Sequence, residues 1–453
     1  MTPDQLITFA TVAELRNISR AAELLHLSQP AVSGQLRQLQ DEFGEPLYLR
    51  DGRGVRLTPV GEALAPLAAQ VRDAYAQAGN RPRAAAVAEL ATLFERDAVL
   101  RMSLTRAIGE AETAGYALGY NNIDDLMTIL DYVMRYAPPF SETSLIVCPI
   151  NALLDWPMCM PSGYPLFRDE AVNTQLGRVL STWCDFLSGP HSREHLHENG
   201  PNGWLCPEAR QRMELDAFRC RPDEPHWGFD SWNHFFTRRL REEARPVAEP
   251  GDPRVVISAC EAAPYQIAGR VQRVDDFWIK AQPYSIRDML TPNHALLAER
   301  FVGGDVYQAY LSAWNYHRWH APVGGTVTHA YRVAGSYFSA ADVEGRDPAG
   351  LNDSQGYMTA VATRAVVVIE CEDPGMGSVA CVFVGMGDVS SCVIDVHPGQ
   401  RLAKGDELGY FQYGGSTFCL LFEPDVIGHF LVEAAPDRDS GVVPVNAAIA
   451  AAR

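Results

Sequence analysis

Near the C-terminus a serine follows two glycines in Tyr410 to Phe418, YFQYGGSTF, between two stretches that alternate like strands. Gly414 and Gly415 can take backbone angles closed to other residues, so the Gly415 carbonyl can be bent toward the Ser416 hydroxyl. Attack there moves the acyl group from nitrogen to oxygen. If a base then removes the alpha proton of Ser416, the ester is eliminated, and the dehydroalanine left behind hydrolyses to a pyruvoyl group. Such a chain breaks between Gly415 and Ser416 and makes its own carbonyl cofactor. Taken alone, the run fits a glycine-kinked hairpin or bulge more readily than a cleavage site.

Its company narrows the choice. The chain also holds FFTRRLREEARPV (Phe235 to Val247), an acidic residue in SACEAAP (Ser258 to Pro264), FWIKAQPYSIRDML (Phe277 to Leu290), YHRWHAPVGGTV (Tyr316 to Val327) and KGDELGYF (Lys404 to Phe411). In this order and spacing they resemble the phosphatidylserine decarboxylase-like family of pyruvoyl enzymes, over roughly residues 85 to 453. His320, second histidine of YHRWH, is the candidate base that activates Ser416, since imidazole can accept a proton near neutral pH. Glu261 would orient it, giving a Glu/His/Ser arrangement. The better-known family pattern has aspartate followed by glycine where this chain has Glu261 and Ala262; a glutamate here resembles a soluble branch that includes fungal tryptophan decarboxylases. The resemblance gives His317 a part in decarboxylation or reprotonation, and a packed, hydrogen-bonded histidine is the plain alternative. VGMGDVSSCVI (Val384 to Ile394) resembles a segment that runs beside the cleavage site, with departures at Asp388 and Ser390. Lys404 to Glu407 reads as a tight turn.

The resemblance implies that the pyruvoyl carbonyl forms a Schiff base with a substrate amine and acts as an electron sink, as pyridoxal phosphate does. It calls for no metal, and the sequence has no PLP lysine motif or phosphate-binding glycine loop. Two substrates compete: an amino-phospholipid, phosphatidylserine, and a free amino acid, tryptophan or another aromatic one. A net charge of −18, no apolar run long enough to span a bilayer and a helical N-terminal extension favour the free amino acid. The N-terminus lacks signal-peptide order and the ten cysteines are scattered without zinc spacing, so a cytoplasmic protein with reduced thiols is expected.

At 453 residues the chain has material for two or three domains. From Leu6 to about Ala78 the pattern reads helix, turn, helix, wing, long helix. Ser19 and Ser28 are candidate caps for the second and third helices, and Val60, Leu64, Leu67, Val71 and Tyr75 form an apolar stripe on the last. The run SRAAELLHLSQPAVSGQLRQLQDEFGEPLYLRDGRGVRLTPVGEAL resembles the DNA-binding head of LysR-type regulators. That resemblance puts Gln29, Ser33 and Arg37 in the major groove and Arg50, Arg53 and Arg56 on the phosphate backbone. Two features depart from a DNA-binding head: Gly34 stands where a polar or basic residue is common, and seven arginines meet nine acids with no lysine. A head that folds and dimerises without binding an operator is the alternative.

The expected fold is an α+β multidomain chain: a winged helix-turn-helix with dimerisation helix at 1–80, a helical extension at 81–225, and a β-rich sandwich or barrel at 226–453. Helices are expected in ELATLFERDAVLRMSL, NIDDLMTILDYVMRYA and NTQLGRVLSTWCDFL. Expected partners are the amine substrate, DNA through residues 1–80 and a second copy of the chain, with no integral membrane association. Two readings from other classes stay open. One is a regulator whose C-terminal part only senses a small amine; the other is a carrier-type sandwich, suggested by HPGQRLAKGDELGYF but lacking the lysine such carriers modify.

Overall fold

The computed structural model describes all residues except 1–2, 53, 79–81, 117, 142–146, 201, 275–283, 341–353, 390, 414–415 and 436–440. The described chain gathers into two compact units, residues 1–136 with 152–183, and residues 137–151 with 184–453.

In the first unit α1 (Pro3–Leu15) buries Leu6, Phe9 and Val12. The second helix, α2 (Ile18–Leu24), starts one residue before Ser19: Asn17 is the cap, accepting from the Arg20 amide at 3.0 Å. An asparagine side chain reaches that orphan amide as well as serine does. Ser28 caps α3 (Gln29–Phe43) as expected, accepting from the Ala31 amide at 3.3 Å. An antiparallel wing of β1 (Tyr48–Asp51) and β2 (Gly54–Leu57) leads into α4 (Pro59–Ala78).

Of the expected stripe on α4, Leu64 and Val71 are buried and Val60, Leu67 and Tyr75 are half-buried. Ala68 and Ala74 are also buried, and α4 packs on α1 and on α7 (Ile123–Val133). The Tyr75 hydroxyl donates to Asp125, and Gln70 Nε2 donates to the Tyr136 hydroxyl at 2.8 Å. The stretch ELATLFERDAVLRMSL divides into α5 (Ala85–Arg96) and α6 (Ala98–Thr113). Asp97 makes the break: in extended conformation, it accepts from the amides of Val99 at 2.8 Å and Leu100 at 3.0 Å. A carboxylate there satisfies two amides that a continuous helix would have bonded to carbonyls.

The second unit is built on a seven-stranded antiparallel sheet of order β11-β7-β8-β9-β13-β5-β4. Its strands are β4 (Ala263–Gly269), β5 (Asp305–Leu311), β7 (Gly325–Val333), β8 (Arg364–Cys371), β9 (Ser378–Gly385), β11 (Arg401–Leu402) and β13 (Ser416–Phe422). Two three-stranded sheets share its core. One joins β10 (Ser391–Ile394), β12 (Glu407–Gln412) and β6 (Arg318–His320); the other joins β14 (Ile427–Phe430), β15 (Ala448–Ala452) and β3 (Val255–Ile257). The large sheet runs open from β11 to β4, so the architecture is a sandwich and not a closed barrel.

Strands buried on both faces read as continuous apolar runs, which is why VACVFV and FCLLF sit at the centre of this sheet. Trp319 stacks on Phe383 at 4.1 Å and meets Phe411 edge-on at 4.8 Å. That packing ties β6 to the sheet core, and it needs a glycine. Gly409 has φ +154°, and a Cβ there would lie 2.1 Å from the Val393 carbonyl oxygen and 3.0 Å from the Trp319 ring. Gly409→Ala is therefore expected to cost roughly 1–3 kcal/mol through overpacking, read as a lower Tm in a thermal melt. An unchanged Tm would mean that β12 can shift without loss.

Candidate active site around Ser416

Ser416 opens β13 and pairs with Leu311 of β5 on one side and Gly385 of β9 on the other. It is fully buried, and its Oγ makes no hydrogen bond among the described residues. Leaving a buried hydroxyl unsatisfied costs about 1–3 kcal/mol, so an orphan oxygen at the start of a buried strand asks for a reason. Gly414 and Gly415 lie outside the described residues, but Tyr413 before them is described and buried, with φ +37°. A bulky residue in this region is held there by its surroundings, at a cost of about 1–3 kcal/mol. Its ring meets Trp232 edge-on at 4.2 Å and Phe236 at 5.4 Å.

His317 belongs to the same aromatic group. Its ring lies 4.3 Å from that of Phe236, and its carbonyl accepts from the Phe411 amide at 3.0 Å, near the Ser416 end of β12. Nδ1 lies 2.9 Å from the Asn315 carbonyl oxygen. A carbonyl only accepts, so this bond puts the proton on Nδ1 and the lone pair on Nε2.

His320 is three residues on, paired across to Glu407 at the far end of β12. Its Nδ1 donates to the Gly405 carbonyl at 2.7 Å and its Nε2 accepts from the Tyr316 hydroxyl at 2.9 Å. Burial pushes the imidazole below its usual range, outweighing the Gly405 bond that favours the cation. His320 is thus neutral at neutral pH. Burial also pushes the Tyr316 phenol up, so it keeps its proton and donates.

Glu261 was expected to orient His320, and its described contacts go elsewhere. Arg245 Nε donates to Oε2 at 2.7 Å and Nη2 to Oε1 at 3.2 Å. The guanidinium fork matches a carboxylate with two charge-assisted bonds, a stronger pairing than one bond to a neutral imidazole. The backbone nonetheless gathers the three segments. The His320 amide donates to the Ala259 carbonyl at 2.8 Å, and Ala263 pairs with Tyr310, beside the Leu311 that pairs with Ser416. Ser416, His320 and Glu261 therefore come from neighbouring strand ends, while no described hydrogen bond joins their side chains.

The VGMGDVSSCVI segment does run beside Ser416, through Gly385. Asp388, three residues later, accepts from the amides of Ile150 at 3.2 Å and Asn151 at 2.8 Å, at the start of helix Pro149–Met158. Full burial pushes its carboxyl up to about 7, against the pull of those two amides. Its role is to anchor a distant helix start beside β9. Ser390 lies outside the described residues, as does all of FWIKAQP. Lys404 holds its turn by donating to the carbonyls of Glu249 at 2.6 Å, Asp252 at 2.7 Å and Val255 at 3.0 Å. Arg245, Tyr316 and Tyr413 were missed as site residues, although FFTRRLREEARPV, YHRWH and YFQYGGSTF contain them. A positive φ at a tyrosine has no signature in composition.

In the first unit, Gln29, Arg37 and Arg50 are exposed and Ser33 is half-buried on α3. Arg53 lies outside the described residues.

Comparison with known proteins accords with this layout. A model described as phosphatidylserine decarboxylase matches residues 232–439, a second of that description matches 84–213, and a bacterial regulatory helix-turn-helix model of the lysR family matches 3–62. Decarboxylase iboD of Amanita muscaria is 39% identical over 296 residues, covering 61% of this chain and 84% of that protein. L-tryptophan decarboxylase of Psilocybe cubensis is 31% identical over 353 residues, 73% of this chain and 79% of that one. The phosphatidylserine decarboxylase proenzyme of Chlamydia pneumoniae is 31% identical over 274 residues, 58% and 84%. Among solved structures, the CbnR DNA-binding domain in complex with DNA is 36% identical, covering 18% of this chain and 93% of that one, with a TM-score of 0.17. With relatives matched along most of their length and with the sandwich and helical extension each recognised, the chain belongs to the phosphatidylserine decarboxylase family of decarboxylases and carries a LysR-family helix-turn-helix segment at its N-terminus.

Proposed function

We propose that the chain cuts itself between Gly415 and Ser416, carries a pyruvoyl group at the new terminus and removes the carboxylate of a free aromatic amino acid, tryptophan being the leading candidate. The observation that carries this is the buried Ser416 hydroxyl, without a hydrogen-bond partner among the described residues, three residues beyond a tyrosine held at φ +37°. A group that must attack its own backbone cannot be engaged elsewhere, and strain raises the energy of the state that reacts. The residues present fit the cofactor, since it would stand at the Ser416 position, where a buried oxygen already lacks a partner. When present, a pyruvoyl group supplies a ketone carbonyl that reacts with the substrate amine and takes up the electron pair left by carbon dioxide.

The chain's own residues do the remaining work. His320, neutral and with its lone pair on Nε2, accepts the proton during processing once Tyr316 yields its place. Glu261 acts on this pair through Arg245, whose charge it balances. His317, against Phe236 and beside Tyr413, holds a basic Nε2 on the aromatic side of the site and serves proton transfer during turnover. Residues 226–453 form the catalytic part, with 81–225 as its helical extension and 1–80 as the helix-turn-helix head.

The aromatic surroundings of Tyr413 and the likeness to L-tryptophan decarboxylase support an aromatic substrate. Phosphatidylserine is the competing substrate, supported by the proenzyme relative. Intact mass on denatured protein is expected to find a C-terminal piece of 38 residues, about 4 kDa, with a pyruvoyl-blocked N-terminus. Purified processed protein should release carbon dioxide from tryptophan and Ser416→Ala should lose both fragment and activity. Turnover of phosphatidylserine vesicles alone would reverse the substrate, and a cleaved alanine variant would remove Ser416 as the nucleophile.

The processing rate carries a pH signature. The base must be unprotonated, and burial depresses the His320 pKa, so the rate should hold as pH falls through the ordinary imidazole range and drop only on its acid side. Fragment appearance followed in cell-free translation at several pH values checks this. A midpoint at or above about 6.5, the unperturbed imidazole value, would exclude His320.

A second reading for residues 1–80 is DNA binding, supported by the helix-turn-helix match and by the exposed Gln29, Arg37 and Arg50. Binding through arginine and phosphate should weaken steeply with salt. Electrophoretic shifts that ignore ionic strength would speak against that docking.

A further inference from the structure

A cavity of about 380 Å³ in the second unit is lined by Arg219, Arg221, Arg238, Arg239, Arg318 and His234, with no aspartate or glutamate on its wall. In a chain of net charge −18 such a concentration of one sign needs an explanation. Arg221 pairs with Glu224 at 2.6 Å. Arg239 at 3.7 Å and Arg318 at 3.3 Å share the single carboxylate of Glu407. Among the described residues Arg219 and Arg238 have no ion pair, so five guanidiniums face two carboxylates.

Two of the five are inside the protein. Arg238 is 2% exposed and Arg318 5%, and among the described residues the Nε of each is buried without a hydrogen-bond partner, while Arg318 Nη1 is the atom that pairs with Glu407. Arg238 is held by its Nη2, which donates to the Trp314 carbonyl at 2.9 Å, and by the Phe218 ring 4.4 Å from its guanidinium carbon. Burial pushes it down to about 10, so it stays charged at neutral pH. A buried charge with unsatisfied donors is costly, and removing the need for water requires an anion that can fill several forks at once. Guanidinium forks match tetrahedral oxyanions bidentately, and an excess of several charges favours a dianion over a lone carboxylate. The cavity volume lies within the roughly 300–1,000 Å³ of small-molecule pockets, so there is room for more than a bare ion.

We infer that this arginine-lined cavity is a binding site for a phosphate group, borne by a small phosphorylated molecule or a phospholipid headgroup; Arg219 and Arg239 also line the neighbouring recess of Tyr316 and His320. Arg318 of the YHRWH segment is itself part of the cavity wall, and the Asn315 carbonyl oxygen adds a further link, accepting from Arg238 Nη2 at 3.5 Å and from His317 Nδ1 at 2.9 Å. The inference goes beyond the decarboxylase reading, and its test does not use turnover.

The full chain is melted with increasing inorganic phosphate or glycerophosphoserine, against sodium chloride at equal ionic strength. Both phosphates should raise Tm saturably above the chloride control. Arg219→Gln with Arg239→Gln, both exposed and safe for folding, should leave the Tm without ligand near wild type and weaken binding by at least about tenfold. Arg238→Met should abolish the phosphate-dependent shift. Tighter binding of glycerophosphoserine points to a lipid headgroup, and equal or weaker binding to a free phosphate compound; either supports the site. A shift no larger than that of chloride, or an undiminished shift in the double variant, overturns it.

Discussion

The antiparallel register of β13 governs what this site can do. By seating Ser416 between Leu311 and Gly385, the ladder uses the serine backbone on both sides and leaves its hydroxyl buried, with no hydrogen bond among the described residues. Strand centres are poor places for irregular backbone, because every amide and carbonyl there is already committed. The irregularity is therefore confined to the approach, where Tyr413 takes a positive φ and its ring is wedged against Trp232 and Phe236. Rigid ladder on one side and enforced strain on the other is a construction suited to a reaction of the chain on itself.

The two histidines of YHRWH differ by which carbonyl each one meets. Both present Nδ1 to a backbone oxygen, Asn315 for His317 and Gly405 for His320, so both keep a basic Nε2. Their surroundings then separate them: His317 stacks in the aromatic group near Tyr413, whereas His320 faces a phenol in a polar recess near Arg245 and Glu407. One short segment, β6 with the residue before it, thus delivers two similar bases to different neighbourhoods.

Much of this arrangement was legible in the residues. Ser28 gave one helix boundary through known capping chemistry, whereas the alternation expected after the two glycines is absent from β13, which is buried throughout and so reads as a continuous apolar run. Asn17 in place of Ser19, and Asp97 breaking one expected helix into two, were misjudged because several residues nearby could cap and only the competition among them decides. Glu261 is the more instructive case. Its segment was found, but its partner was not, since Arg245 lies 16 positions upstream and pairing at that separation depends on the fold. Of the apolar stripe read on α4, Leu64 and Val71 are buried and Val60, Leu67 and Tyr75 only half so, because periodicity marks an apolar face without naming what packs on it; here α1 and α7 pack on this helix.

Net charge is a similar case of an average that conceals an arrangement. An excess of acids argues against non-specific attraction to polyanions over the whole surface, and it says little about a recess whose field is set by groups within a Debye length, about 8–10 Å. Within such a distance the cavity of Arg219, Arg238, Arg239 and Arg318 is strongly positive, and burial of two of these side chains removes the water that would screen them. The surrounding negative charge sharpens the contrast, because an anion that reaches the chain meets repulsion nearly everywhere else. Selectivity for one anionic group at one place follows from that combination more readily than from a uniformly basic surface, which would hold any polyanion anywhere.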